Sequence, residues 1–183
     1  MSVRFGETCD EPLRQALRAA GLDTVEGAFA FESGSDLVKS GLGHRRRTRL
    51  ELTDAAGTTH ALYLKRYGRL PVRARLRHWW TYGRDLAPAL TEFLAVGALR
   101  RLGLTEMREI VAGQADERGY VILTEVGGSS LETSAADILS QGPEAVAELT
   151  ERLAELAGRL HAAGFVHRDL YACHVFARRD EGG

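Results

Sequence analysis

The sequence predicts an α+β protein: an antiparallel sheet carrying one long helix, followed by the beginning of a helical lobe. Residues 36–66 hold short alternating segments separated by tight turns, the pattern of a β-meander. Val146, Leu149, Leu153, Leu156 and Leu160 recur at three- and four-residue steps, the pattern of an amphipathic helix. The elements run helix, three strands, helix, two strands, linker, helix and a closing loop.

Each element has a local reason. Asp10 reads as an N-cap, Pro12 as an early helical residue and Gly21 as a stop, which predicts a helix over 11–20 with Leu13 and Leu17 on one face. Residues 22–35 read as irregular and end in the turn Ser33-Gly34-Ser35. Asp36–Lys39 is a weak strand, and Ser40-Gly41-Leu42-Gly43 a loop. Thr48–Leu52 and His60–Arg66 alternate as half-buried strands about the turn Asp54-Ala55-Ala56-Gly57. A helix is expected from Leu86 to Leu102, with Leu90, Phe93, Leu94 and Gly97 on one side and Arg100-Arg101 at the C-terminal end of its dipole. Met107–Val111 and Tyr120–Glu125 read as strands, and Gly127-Gly128 breaks the pattern. Pro143 opens the periodic helix and Gly164 stops it.

The chain has 183 residues, 44% hydrophobic and 27% charged, which fits one domain or two small lobes. A net charge of −1 argues against a nucleic-acid partner. Cys9 and Cys173 are far apart and form no C-x-x-C pair, which disfavours a disulfide scaffold or a zinc ribbon and fits a reducing compartment. With no apolar leader and no span-length apolar run, the expected location is cytoplasmic.

The chemistry concentrates at a few positions. His167-Arg168-Asp169-Leu170 follows the periodic helix. It has the form of the catalytic loop of protein-kinase-like enzymes, whose Asp takes the proton of the attacking hydroxyl. Phosphoryl transfer otherwise needs phosphates held and neutralised. Lys65, inside a strand, is a rigidly held cation for the phosphates, and Glu92, in the following helix, is the carboxylate that would fix it. Gly41 and Gly43 would let backbone amides approach phosphate. A third glycine of G-x-G-x-x-G is missing because Arg46 stands there, and Arg45-Arg46-Arg47 offers cations instead. Glu125 and Gly127 close the strand where a kinase hinge offers a main-chain carbonyl and amide to adenine. Taken singly, Lys65 also reads as a surface lysine and Glu92 as a solvated helix residue; their order along the chain gives them weight.

Tyr63-Leu64-Lys65-Arg66, Thr91-Glu92-Phe93, Ile122-Leu123-Thr124-Glu125 and above all His167-Arg168-Asp169-Leu170-Tyr171-Ala172-Cys173-His174 resemble the lipopolysaccharide core heptose/Kdo kinase family from about residue 34 onward. Tyr171 and His174 stand where protein kinases carry Lys and Asn, a departure typical of that family. The resemblance implies a protein-kinase-like fold with ATP and Mg2+ as cofactors. The implied reaction phosphorylates a sugar hydroxyl of lipopolysaccharide or a related lipid-linked saccharide. Asp169 and His174 would be the catalytic residues. Imidazole is a poor magnesium ligand, so His174 reads as a hydrogen-bonding residue with metal ligation open. The implied organisation is an N-terminal extension over 1–33, an N-lobe over 34–126, and a hinge with partial C-lobe over 127–183.

From Lys65 to Arg84 seven basic residues occur without an acid, interleaved with Trp79, Trp80 and Tyr82. Arg66–Arg84 reads either as a peripheral contact with the anionic inner face of the cytoplasmic membrane or as a solvated insertion whose tryptophans pack under the next helix. Val175-Phe176-Ala177 reads as the first strand of the hairpin that would bear the main acidic metal ligand, and the returning strand does not follow, so we expect a C-terminally truncated chain inactive by itself. The alternative function is a non-catalytic nucleotide-binding or interaction module.

Overall fold

Alternation along one strand organises the fold. In β4 (Thr59–Tyr67), Leu62, Leu64 and Arg66 are buried on one face, while Tyr63, Lys65 and Tyr67 occupy the other. β4 lies inside a six-stranded antiparallel sheet of order β1-β5-β6-β4-β3-β2, with β1 Ser2–Phe5, β2 Ser35–Asp36, β3 Arg45–Thr53, β5 Glu109–Ala115 and β6 Arg118–Thr124. The computed structural model describes residues 2–36, 45–69, 72–73, 76, 79–80, 88–166 and 170–178. The α+β expectation and the antiparallel meander β2-β3-β4 are both present.

The chain forms two units. The first comprises Met1–Arg101 and Met107–Glu125; the second comprises Leu102–Glu106 and Val126–Gly183. In the first, both sheet faces are covered. One packs against α1 (Glu11–Ala19) and α2 (Val25–Ala30), where Leu13, Leu17, Leu22, Val25 and Ala28 meet Leu50, Leu62, Leu64 and Ile122. The other packs against α3 (Pro88–Arg101), where Ala89, Leu90, Phe93 and Val96 meet Tyr67, Ala112, Val121 and Leu123. Residues 119–124 of β6 are all buried, as a strand covered on both sides requires. Leu94 departs from the expected apolar side of α3: it is exposed, while Leu90, Phe93 and Gly97 are buried.

β1, α2 and α4 (Leu131–Ser140) escape the sequence reading. β1 is only four residues long and exists through its pairing with β5. α2 lies within the stretch read as irregular. It carries Gly27 in its interior, but Thr24 caps it by accepting from the Gly27 amide at 3.0 Å, and a Cβ on Gly27 would lie 1.8 Å from the Gly21 carbonyl. α4 occupies part of the expected linker and buries only Leu131.

The second unit holds α4, α5 (Pro143–Ala162), a 3₁₀ turn Ala172–His174 and the pair β7 (Ser129–Ser130) and β8 (Phe176–Ala177). The segment expected to open a C-terminal hairpin therefore pairs backward with β7. Gly128, at φ +90°, makes the approach feasible, since a Cβ there would lie 2.5 Å from the Ala177 carbonyl. Of the apolar stripe on α5 only Leu160 is buried; Val146, Leu149, Leu153 and Leu156 are half-buried. Among the described residues no helix is long and apolar enough to cross a membrane.

Candidate functional site

Lys65 reaches its place through register. β3 and β4 pair so that Arg47 lies opposite Lys65 and Arg49 opposite Tyr63, which sets all four on the face away from α1 and α2. The Lys65 side chain is 16% exposed, and its Nζ pairs with the Glu92 carboxylate of α3. The Tyr67 hydroxyl donates to the other Glu92 oxygen, so the carboxylate is held from two neighbouring positions of one strand face.

α3 is itself anchored. Glu109 is 3% exposed and accepts a forked bond from Arg100 at 3.1 and 3.0 Å, and Arg100 also reaches Glu7 at 3.1 Å. The bond to Glu109 raises the Arg100 pKa. Gly97 lets α3 lie against this carboxylate: its Cβ would fall 3.0 Å from Glu109 Oε1. A cavity of about 170 Å³ lined by Phe5, Phe93, Leu94, Gly97 and Glu109 flanks this anchor.

On the opposite sheet face Asp36, which precedes residues 37–44, accepts from Arg46 Nε at 2.7 Å and Thr48 Oγ1 at 2.6 Å. Arg46 first, then Thr48, holds its carboxyl below the usual range. The buried Arg66 guanidinium donates to the Phe31 carbonyl at 2.9 Å and to Thr48, tying β4 to the chain that follows α2.

At the other end of the Lys65 face, Glu125 accepts from Arg49 Nε at 3.0 Å, Arg49 Nη2 at 2.9 Å and the Tyr63 hydroxyl at 2.7 Å. These bonds, Arg49 foremost, hold its carboxyl below the usual range, while burial and Glu125 raise the Tyr63 pKa. The Glu125 amide donates to the Ala61 carbonyl at 3.0 Å.

Of the sequence-predicted residues, the structure joins Lys65 with Glu92. Glu125 ends the first unit and Gly127 belongs to the second. Gly41, Gly43 and Asp169 lie outside the described residues, as do His167 and Arg168. His174 closes the 3₁₀ turn, its amide donating to the Tyr171 carbonyl at 2.8 Å and its ring centroid 6.3 Å from that of Tyr171. Among the described residues no three His, Cys, Asp or Glu side chains converge as a metal site. The sequence reading missed Arg49, Tyr63, Tyr67 and the Arg100–Glu109 anchor. Alternation in His60–Tyr67 was the available signal for the two tyrosines; Arg49 and Glu109 needed the strand register.

Comparison with known proteins gives one family. Its model, described as the lipopolysaccharide kinase (Kdo/WaaP) family, matches residues 36–183. No curated protein matches the chain.

Proposed function

The chain belongs to the lipopolysaccharide kinase (Kdo/WaaP) family, and from that premise we propose that it transfers the γ-phosphoryl group of ATP to a sugar hydroxyl of a lipid-linked saccharide. Kinase chemistry follows from the family, and ATP as donor follows from kinase chemistry. The acceptor, the role of each residue and the use of Mg2+ are our reading.

The Lys65–Glu92 pair carries the proposal. A lysine fixed by a helix carboxylate is a cation whose position does not depend on the ligand. It can therefore stabilise charge on the phosphates with little reorganisation. Arg47, opposite Lys65 in the register, adds a second cation on the same face. Gly41 and Gly43 are assigned to backbone contact with phosphate, and Glu125 and Gly127 to main-chain contact with the base. Asp169 is assigned as the residue that orients the acceptor hydroxyl and takes its proton, with His174 as a hydrogen-bonding neighbour in the same loop. When bound, Mg2+ would neutralise phosphate charge. A peripheral contact with anionic membrane through Arg66–Arg84 would bring the protein to a lipid-linked acceptor at the inner face of the cytoplasmic membrane.

An acceptor screen tests this. Radiolabelled ATP is offered with saccharides bearing heptose or Kdo. Label transfer to at least one acceptor, lost in Asp169→Asn with ATP binding retained, bears out the kinase reading and overturns the expectation that the chain is inactive by itself. Lys65-dependent ATP binding without transfer to any acceptor favours the second reading, a nucleotide-binding module without catalysis.

A further inference from the structure

We propose that Glu109 is a positioning residue: aimed at α3 by a β-bulge that the N-terminal strand closes, it fixes the rotation of α3 through Arg100 and so seats Glu92 on Lys65. The inference deepens the proposed function and rests on Lys65 holding the phosphates.

The bulge decides where Glu109 points. Glu109 lies opposite Leu123 and Val111 opposite Ile122, so Ile110 is an extra residue in β5. In a regular strand Glu109 and Val111 would share a face. Here Ile110 and Val111 both pack into the core under α1 and α2, while Ala112 and Glu109 face α3. The N-terminal strand completes the bulge. The Gly6 amide donates to the carbonyl of the extra residue, Ile110, at 2.8 Å, and the Thr8 hydroxyl donates to the Glu109 carbonyl at 3.5 Å. The approach requires glycine, since a Cβ on Gly6 would lie 1.9 Å from the Glu109 carbonyl oxygen. β1, Gly6 and Thr8 all precede the matched family region, which begins at residue 36.

The apolar contacts of α3 leave its rotation open. Leu90, Phe93 and Val96 are buried, but Leu94 of the same helix is apolar and exposed, and apolar contact is non-directional. Turning α3 by about 30° would carry a carboxylate about 5–6 Å from the axis through ~3 Å, enough to part Glu92 from Lys65. Arg100 opposes that turn from about 12 Å farther along the helix. Its forked bonds to Glu109, at 3.1 and 3.0 Å, hold in one orientation only. The fork is enclosed, the Glu109 side chain being 3% and the Arg100 side chain 22% exposed. A buried ion pair adds little net stability over an apolar pair of the same size, and fixing register is its best-attested use. Glu7, at 67% exposure, adds surface pairs to Arg100 and Arg101, which are weak by comparison. Glu109 is therefore the anchor that decides the orientation.

The experiment reads the Lys65–Glu92 pair directly. The chain has two lysines, Lys39 and Lys65. The full chain is treated briefly with acetic anhydride, at a temperature where melting curves show each variant folded, and mass spectrometry gives the Lys65-to-Lys39 acetylation ratio. Glu92→Gln, which removes the pair, sets the upper limit of that ratio. Glu109→Gln should raise the ratio by about threefold or more toward the limit, as expected for residues of one network. Added to Glu92→Gln it should raise the ratio no further, because both act through the same contact. Arg100→Lys, which keeps the charge and loses the fork, should give an intermediate ratio, and it decides in place of Glu109→Gln should that variant fail to fold. A folded Glu109→Gln or Arg100→Lys with the wild-type ratio overturns the positioning role. So does an equal rise in the Glu92→Gln background, which marks general loosening rather than action through Glu92. Inorganic tripolyphosphate should lower the wild-type ratio by covering Lys65. A ratio that tripolyphosphate leaves unchanged overturns the phosphate site, while the seat of Glu92 stands or falls on the variants.

Discussion

Glu125 does two jobs at the scale of one residue. Its amide continues the β6 ladder to Ala61, and its carboxylate fixes Arg49 and Tyr63. A carboxylate that accepts bonds from a guanidinium and a phenol is favoured in its charged form, which is why its pKa is lowered. The folded value thus lies below the unfolded one of about 4.3. The network's contribution to stability is complete above that pH and fades as pH falls through the lower folded value. We expect the wild-type melting temperature to drop below about pH 4, and Glu125→Gln to drop less over the same interval. Parallel melting curves for the two proteins across that interval would show that the network carries no pH-linked stability. At this scale the sequence revealed identities but not partners. Lys65 and Glu92 were legible because they stand in a strand and in the next helix. Arg49 and Glu125 are 76 residues apart, and only strand register brings them together.

At the scale of elements, α1 and α2 behave as part of the sheet's core although the matched family region begins at residue 36. Leu17, Leu22 and Val25 are completely buried against the face of β4 that backs Lys65, and the buried Tyr120 hydroxyl donates to the Leu22 carbonyl at 2.8 Å. Removing Leu17 beyond its Cβ leaves a cavity that a sheet clamped on its other side by α3 fills poorly. Leu17→Ala should therefore cost about 2–5 kcal/mol in denaturant unfolding, and a loss below about 1 kcal/mol would show the N-terminal helices to be a detachable cover. The helices with strong punctuation, α1 with Asp10 and Gly21 and α5 with Pro143 and Gly164, could be read from the chain. α2 could not: its interior glycine lowers helix propensity, and its stability comes from packing and from the Thr24 cap.

At the scale of the whole molecule, the segment between β4 and α3 concentrates basic charge and aromatic surface. Its described residues Val72, Leu76, Trp79 and Trp80 are 58–86% exposed, as suits an interface with lipid headgroups. Each arginine near an anionic surface contributes about 1 kcal/mol. Reversing Arg73, Arg75 and Arg77 to Glu should weaken sedimentation with anionic phospholipid vesicles by at least about 100-fold, and unchanged partitioning would dismiss the membrane contact. The sequence by itself determined the α+β class, the central strands, the long helices and the strand lysine that pairs with Glu92, because turn residues, alternation and helical periodicity are local signals. Tertiary structure alone decided which face of β4 meets Glu92, the pairing of β8 with β7, and the Arg49–Tyr63–Glu125 cluster. Each depends on register between segments distant in the chain, and a one-residue slip would send every one of those side chains to the opposite face.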